Sequence, residues 1–194
     1  GTAPDFIVVD GSEGGTGAAP IDFEDHMGMP LTHGLMTVHN ALVGTGLRDQ
    51  IKIGASGKVA GGSDIVMRMI QGADYTNSAR AMMMAVGCIQ AQRCHTGECP
   101  AGVATQDPRR NRAVVVKDKA QAVYNYHRTT VNTAVRLMAS MGVTDPADLS
   151  PDMLRRNVSP TDSRSYANIY EWLRPDQLLE DPPSSWAPDW KAAS

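Results

Sequence analysis

The amino-terminal half of the chain repeats one pattern three times: a short apolar segment, a turn rich in small residues, and a helical segment. The predicted strands lie at residues 6–9, 51–55 and 73–76, and the predicted helices lie at 31–44, at 64–70 with Ser63 as the cap, and from residue 79 onwards. This alternation is typical of a βα barrel or a doubly wound sheet, in which helices form the crossovers between parallel strands. The first predicted strand is apolar throughout, which is typical of a strand buried on both faces.

Three strand–helix units cannot close a barrel, because closure takes eight strands and about 250 residues. We therefore predict an α/β fold that forms the last part, about three βα units, of a (β/α)8 TIM barrel. The chain starts without methionine, immediately before an apolar run, so we expect further residues upstream that supply the missing strands. An isolated piece of this kind would expose the edge of its first strand and an apolar face.

The alternation of strands and helices stops after residue 108. The segment that follows is predicted to contain a long amphipathic helix at 117–141, shorter helices at 148–156 and 163–173, and an extended tail at 182–190. We therefore divide the chain into a barrel part at 1–108, which contains the cysteine segment 88–99, and a helical extension at 109–194 that packs on the barrel.

The composition excludes several classes of function. Lys and Arg number 18 and Asp and Glu number 21, a formal net charge of −3, which argues against nucleic-acid binding because that function calls for a strongly basic face. A hydrophobic content of 42% is ordinary for a soluble globular protein. No apolar run reaches the roughly 18 residues that a membrane-spanning helix needs. Clustered reduced thiols fit the cytoplasm, and any membrane anchor would lie in the absent amino-terminal region.

All three cysteines of the chain, Cys88, Cys94 and Cys99, fall within twelve positions in the pattern C-x5-C-x4-C. An odd number of thiols cannot all pair within one chain, and soft thiolates this close together suit an iron–sulfur cluster. A cluster with three iron corners needs only three thiolates. Tetrahedral zinc remains an alternative, although it needs a fourth ligand that His95 is badly placed to supply. Inert or redox-active thiols are the other alternative.

The turns after the second and third predicted strands carry the residues of a phosphate site. Small-residue turns at the carboxyl ends of parallel strands let backbone N–H groups approach a phosphate, and barrels commonly use the turns after strands seven and eight for this purpose. Here the turns contain Ser56 and Gly57, then Asn77, Ala79 and Arg80. Arg80 would add a bidentate cation. Taken alone, the same residues favour ordinary tight turns.

Three motifs of the chain resemble those of glutamate synthases. Residues 11–20, GSEGGTGAAP, resemble the GGTGASP loop of the flavin domain, and residues 47–49, LRD, match a motif before the next strand. Residues 87–100 and 102–108 resemble the cluster-binding segment and its continuation. The motifs keep their order and spacing over roughly residues 6–108. The resemblance is greatest to the single-domain FMN-binding glutamate synthase family proteins, which lack the amidotransferase domain.

The resemblance implies a barrel that holds FMN at the carboxyl ends of its strands and a [3Fe-4S] cluster that passes electrons to the flavin. The implied cofactor-binding residues are Gly14, Gly15 and Thr16 beside the flavin, Ser56, Gly57, Asn77, Ala79 and Arg80 around its phosphate, and Cys88, Cys94 and Cys99 on the cluster. The implied activity is that of an oxidoreductase acting on CH–NH2 donors. It forms glutamate from 2-oxoglutarate and ammonia by reduction of 2-iminoglutarate.

The resemblance also implies partners. These are 2-oxoglutarate or a related keto acid, an electron donor protein or an NAD(P)H-oxidising subunit, and the first five strands of the barrel, supplied by the same gene product or by a partner chain. We expect the isolated piece to be inactive, and no residue is assigned to catalysis.

The chain departs from the family pattern where flavin and substrate should bind. Ala55-Ser56-Gly57 stands in place of Asp-Gly-Gly, Thr76-Asn77-Ser78-Ala79 in place of Gly-x-Gly-Thr, and Ala19 in place of the loop serine. The departures leave open a different amino-acid product or an altered electron donor. An iron–sulfur electron-transfer or redox-sensing module without flavin is the principal alternative, and a zinc-stapled structural domain is the third reading.

Overall fold

The computed structural model describes residues 3–13, 22–23 and 27–193. The predicted alternation is present, with strands β1 (Phe6–Asp10), β2 (Lys52–Ser56) and β3 (Tyr75–Asn77) and helices α1 (Leu31–Gly44), α2 (Gly62–Ile70) and α3 (Arg80–Val86) between and after them. The strands are parallel, in the order β1-β2-β3. The α/β class is confirmed. Closure into a barrel stays a prediction, because the described residues form three parallel strands.

Helix α1 has the predicted bounds and covers one face of the sheet. Its apolar side chains Leu31, Leu35 and Leu42 pack in one buried cluster with Ile53 and Ala55 of β2. Burying a leucine of this kind contributes about 1.5–3 kcal/mol, so this cluster holds the helix on the strands.

The prediction that β1 is buried on both faces is wrong for the described residues. Phe6 and Val8 are 59% and 42% exposed, whereas Ile7 and Val9 pack against the cluster beneath α1. The reason is the layering. Helix α1 covers one face of the sheet, and no described element lies over Phe6 and Val8.

The start of α2 corrects another prediction. Ser63 does not cap this helix, because α2 begins at Gly62, two residues before the predicted start, and Gly61 is the capping residue. The side chain of Asp64 caps the helix instead: its Oδ2 accepts hydrogen bonds from the N–H groups of Ala60 and Gly61, both at 2.9 Å. An acidic side chain in the first turn also interacts favourably with the helix dipole.

The long helix of the extension is present as α5 (Val116–Ser140), after the short helix α4 (Pro108–Asn111). It packs on α2, where Val66, Ile70 and Ala134 form a second buried cluster. The contact is close at Gly62, where an added Cβ would lie 2.4 Å from the backbone nitrogen of Ala134. Within the described residues no helix is long and apolar enough to cross a membrane.

The helix predicted at 148–156 is wrong. The chain instead forms two 3-10 turns, Pro146–Asp148 and Pro151–Met153, and then the strand β4 (Arg155–Ser159). Proline at the first position of each turn allows a helical start, but a proline at 151 cannot continue a helix from the residues before it, because it has no N–H group.

The predictions for the rest of the extension are correct only in part. The segment 163–173 begins as strand β5 (Asp162–Ser165), antiparallel to β4, and only then forms the short helix α6 (Tyr166–Ile169). The helix α7 (Gln177–Glu180) precedes the tail at 182–190, which was expected to be extended but forms the start of α8 (Ala187–Ala193) from residue 187 onwards. Asn40 on α1 binds this region, since its Nδ2 donates to the Glu171 carbonyl at 2.9 Å and its Oδ1 accepts from the Leu173 N–H at 3.0 Å.

Candidate functional site

A cavity of about 240 Å³ lies at the carboxyl ends of β2 and β3. Ser56 and Asn77 end these strands and stand opposite each other in the parallel register. The lining residues are Ser56, Gly57, Lys58, Val59, Ala60, Asn77, Ala79, Arg80, Ala81, Met84 and Gln90. The structure therefore brings together all five residues that the sequence predicted for a phosphate site after these strands.

The charge of the lining suits an anion. Lys58 and Arg80 are basic, and none of the described residues that line the cavity is acidic. A guanidinium group presents its N–H groups in a planar fork that matches phosphate oxygens, and an ammonium group acts as a compact point charge. A phosphate monoester is the kind of group that this lining can bind.

The turn after β2 contains an energetically unfavourable backbone conformation. Gly57 has φ +142°, and Lys58 has φ +49°, in the left-handed region that a side chain disfavours. A non-glycine residue in that region costs on the order of 1–3 kcal/mol and persists only when its surroundings hold it. The conformation of this turn is therefore set by contacts outside it.

Three side chains supply those contacts. Ser78 Oγ donates to the Val59 carbonyl at 2.7 Å, and the Tyr126 hydroxyl donates to the Ala60 carbonyl. Asp64 accepts from the Ala60 N–H, as described above. The turn is thus fixed at once from the residue after β3, from α2 and from α5. The sequence alone did not assign Tyr126, because 66 positions separate it from Ala60.

The glycine-rich loop after β1 is described only at its start. The predicted residues Gly14, Gly15 and Thr16 lie outside the described residues. Gly11 donates its N–H to the Ser56 carbonyl at 2.8 Å, which joins the start of this loop to the end of β2. Both carboxylate oxygens of Glu13 accept from the Leu31 N–H, at 3.0 and 2.8 Å, and so anchor the loop to the start of α1.

The cysteine segment follows α3 without a break. Cys88 stands two residues after the end of that helix, Cys94 begins a 3-10 turn, and Cys99 is buried. None of the three cysteines forms a disulfide bond. Gln90 and Gln92 both have left-handed backbones, with φ +57° and +54°. Backbone strain of this kind tends to cluster where a chain binds a ligand.

The backbone that follows Cys99 lowers the pKa of its thiol. Burial alone would raise the pKa of its thiol, but hydrogen bonds from the backbone of residues 101–104 stabilise the thiolate, and the resulting pKa lies below its ordinary value. The Gln90 N–H also donates to Cys88 Sγ, at 3.4 Å. Donors of this kind favour the thiolate form that binds metal.

The three thiols fit a metal cluster in their chemistry, but their positions do not form a set of ligands. Their donor type and the amides around Cys99 fit thiolate ligation of iron. However, the described residues contain no group of three or more His, Cys, Asp or Glu side chains close enough together to hold a metal ion. Cluster binding therefore requires the segment to draw its three sulfurs together, as is common where metal binding is coupled to local folding.

The cavity and the cysteine segment adjoin each other. Met84 on α3 and Gln90 beyond it both line the cavity, and the backbone N–H of Gln90 donates a hydrogen bond to Cys88 Sγ. An anion at the ends of the strands and a metal group on the cysteines would be close neighbours.

The other end of the sheet carries a polar network of different character. Arg48 binds Asp74 at 2.8 Å, the Gly72 carbonyl at 2.9 Å and the Ile51 carbonyl at 3.2 Å. Burial, and then the charge of Arg48, lower the pKa of the adjacent His39 to about 4. The LRD motif at 47–49 thus ties α1 to the turns before β2 and β3.

Comparison with known proteins gives a consistent result. The family described as the conserved region in glutamate synthase matches residues 1–144. The glutamate synthase large subunit-like protein YerD of Bacillus subtilis (strain 168) is 44% identical over 152 residues, which are 78% of this chain and 29% of that protein. The ferredoxin-dependent glutamate synthase of Pyropia yezoensis is 36% identical over 146 residues, 75% of this chain and 9% of its own length.

A third relative is the archaeal glutamate synthase [NADPH] of Methanocaldococcus jannaschii (strain ATCC 43067 / DSM 2661 / JAL-1 / JCM 10045 / NBRC 100440). It is 36% identical over 139 residues, which are 72% of this chain and 27% of that protein. The chain spans less than a third of the length of each of these three relatives.

Proposed function

The chain belongs to the glutamate synthase family, and from that premise we propose that it forms the FMN- and cluster-binding part of a glutamate synthase-like oxidoreductase. The reaction is the reductive formation of glutamate from 2-oxoglutarate and ammonia, with electrons passed through an iron–sulfur cluster to FMN. One observation carries the proposal: a basic cavity at the strand ends adjoins a segment with three cysteines that form no disulfide bond. Without the rest of the protein we expect the chain to be inactive.

In this proposal the cavity binds the phosphate of FMN. Backbone N–H groups of the turns at Ser56–Gly57 and Asn77–Ala79 approach the phosphate, and Arg80 and Lys58 neutralise it. Gly14, Gly15 and Thr16 lie beside the flavin ring. The bound flavin supplies the hydride chemistry, and the protein supplies its position and the exclusion of water.

Cys88, Cys94 and Cys99 ligate a [3Fe-4S] cluster as thiolates. The amides of residues 101–104 favour the ionised form of Cys99 before iron binds, since they lower its pKa. The three cysteines form no disulfide bond, which fits a cytoplasmic location. The neighbouring cavity keeps flavin and cluster close, which is what transfer of electrons between them requires.

The rest of the protein supplies the remaining strands of a (β/α)8 barrel. The sheet face that carries Phe6 and Val8 then becomes part of the barrel interior, which explains why apolar side chains are exposed there. The electron donor is a protein or an NAD(P)H-oxidising subunit. The named relatives include both a ferredoxin-dependent and an NADPH enzyme.

The test is purification of the full protein without oxygen, followed by an absorption spectrum and by iron, acid-labile sulfide and zinc analysis. We expect the bands of oxidised flavin together with a broad iron–sulfur shoulder. Arg80→Ala should lose flavin and keep iron, Cys99→Ser should lose iron and keep flavin, and Arg128→Ala, an exposed site on α5 outside the cavity, should keep both.

The alternative outcomes are distinct. An iron–sulfur shoulder without flavin would support an electron-transfer or redox-sensing module. A colourless protein that contains zinc would support a structural domain. Either result, or a protein with neither iron nor flavin, contradicts the proposal.

A further inference from the structure

Three polar residues form one row at the carboxyl edge of the sheet. The parallel register pairs Asp10 of β1 with Ser56 of β2, and it pairs Ser56 with Asn77 of β3. Each of the three ends its strand. Neighbouring strands lie about 4.8 Å apart, so the row spans roughly 10 Å from Asp10 to Asn77. Residues that stand side by side in a sheet place their side chains on the same face, and a single small ligand can therefore reach all three.

This row lies on the sheet face that α1 leaves uncovered. Side chains alternate between the two faces of a strand, and Ile7 and Val9 of β1 pack beneath α1. Asp10 therefore shares its face with Phe6 and Val8. In the proposed barrel that face is the interior, and the active sites of such barrels lie at the carboxyl ends of the strands. The row thus stands where a barrel of this kind binds its substrate.

The level of the sheet below the row is apolar. Val8, Gly54 and Tyr75 stand side by side there in the parallel register. The ring of Tyr75 lies across Gly54, where an added Cβ would come 2.5 Å from Tyr75 Cζ. These residues form a floor without charge. A ligand that rests on this floor meets its polar contacts to the three strands in the row above it.

Asp10 carries the one charge of the row. It is exposed, and within the part of the chain that the structure describes its carboxylate forms neither a hydrogen bond nor an ion pair. Lys58 and Arg80 line the cavity at the ends of β2 and β3, and Asp10 is not part of that lining. One edge of the sheet thus presents cations on the side of β2 and β3 and a carboxylate on the side of β1. The strongest hydrogen bonds of a carboxylate are those with cationic donors.

We propose that Asp10 binds the nitrogen of the substrate, as the protonated imine before reduction and as the ammonium group of the amino-acid product afterwards. The inference rests on the proposed function, which supplies these two groups. Reduction adds a hydride to the imine carbon, and a proton from water completes the ammonium group, so the nitrogen that faces Asp10 carries one positive charge before and after the step. The keto acid offers carboxylates, which Asp10 repels, and FMN offers no cation. The nitrogen is therefore the partner that the charge of Asp10 selects.

The experiment compares glutamate with 2-oxoglutarate as ligands of the full protein in its oxidised state, by titration calorimetry. The two ligands share their carbon chain and both carboxylates and differ in the ammonium or keto group. Asp10→Asn removes the charge at almost constant size. It should weaken the binding of glutamate by about ten- to hundredfold, the effect of losing a hydrogen bond between charged groups, and it should not weaken the binding of 2-oxoglutarate. Asp10→Glu, which keeps the charge, should retain a preference for glutamate over that of Asp10→Asn. Asp5→Asn is the matched control, because Asp5 is exposed at the other end of the same strand, roughly 17 Å away.

Several results would overturn the inference: an unchanged affinity of Asp10→Asn for glutamate, equal losses for glutamate and 2-oxoglutarate, or a loss as large in Asp5→Asn. Flavin content is measured in the same preparations, and loss of FMN from Asp10→Asn would assign the row to the cofactor and overturn the inference as well. A parent protein that binds both ligands, combined with a variant that does not discriminate between them, refutes this inference alone. A parent protein that binds neither ligand refutes the proposed function.

Discussion

Removal of one hydroxyl group, by Tyr126→Phe, tests whether α5 positions the turn that we propose binds the FMN phosphate. The Tyr126 hydroxyl donates to the Ala60 carbonyl, and Ala60 lines the cavity. A net hydrogen bond is worth about 0.5–1.5 kcal/mol. Because the Ala60 carbonyl lies at an exposed position, water can replace the lost donor, and the lower part of that range applies. A loss of about 0.5–1 kcal/mol corresponds to a two- to fivefold change in a dissociation constant.

We therefore expect Tyr126→Phe to raise the Kd for FMN about two- to fivefold while the cluster content is unchanged. The physical reason is that Lys58 holds a left-handed backbone only with support from outside the turn. The measurement is a titration of the flavin-free protein with FMN, followed by flavin fluorescence. A larger effect on FMN than on riboflavin, which lacks the phosphate, would locate the loss at the turn.

Tyr124→Phe is the matched control. Tyr124 lies on the same helix, is exposed, and makes no hydrogen bond through its hydroxyl within the described residues. Its loss should leave the Kd for FMN unchanged. Equal affinities in Tyr126→Phe and the parent, or equal losses in Tyr126→Phe and Tyr124→Phe, would refute the role of α5 in positioning the turn.

Two further predictions concern stability. His39, whose pKa is lowered to about 4 by burial and by Arg48, stays neutral in the folded state while the unfolded state takes up a proton below pH 6.5. The free energy of unfolding should therefore fall by about 2–3 kcal/mol as the pH drops from 6.5 towards 4, and urea unfolding of His39→Gln should show this part of the pH dependence removed. Gly62→Ala should lower the Tm because its Cβ would meet the backbone of Ala134 on α5. Gly61→Ala should be tolerated, because its Cβ would make only ordinary contacts at 3.9 Å and the backbone has an ordinary φ of −128°. Comparable Tm values for the two variants would contradict the close packing of α2 on α5.

The parts of the fold that the sequence predicted are those with strong local patterns. Helix α1 was predicted with its observed bounds because apolar residues recur at helical spacing and Gly44 ends the run. The hairpin of β4 and β5 was missed for the opposite reason. Every residue of β4 is exposed, so its sequence, RRNVS, shows no alternation of apolar and polar residues. Nothing local distinguishes such a strand from a polar helix.

For the candidate site, too, the sequence predicted what local pattern and strand topology determine and missed what depends on tertiary packing. Ser56 and Asn77 were predicted to lie together because the carboxyl ends of adjacent parallel strands meet at one edge of a sheet, and the observed register pairs them. The support of the turn by Tyr126 depends on how the extension packs, which no short pattern records. The binding of one cluster by all three cysteines was predicted from their spacing. The structure shows that spacing alone does not bring the three sulfurs into one ligand set.

The two ends of the parallel sheet differ in the charged groups that they carry, and that difference favours the carboxyl end as the anion site. At the amino end, Arg48 is bound by Asp74 and by two carbonyl groups, so its charge is already committed to the fold. At the carboxyl end, the described lining of the cavity holds Lys58 and Arg80 and no acidic residue. Like charges in one cavity repel each other, and a phosphate that binds between them lowers that repulsion. A protein that brings cations together in this way, on a turn held in a strained backbone from three sides, gains stability when a phosphate binds there, and that gain is the reason to expect FMN at this end.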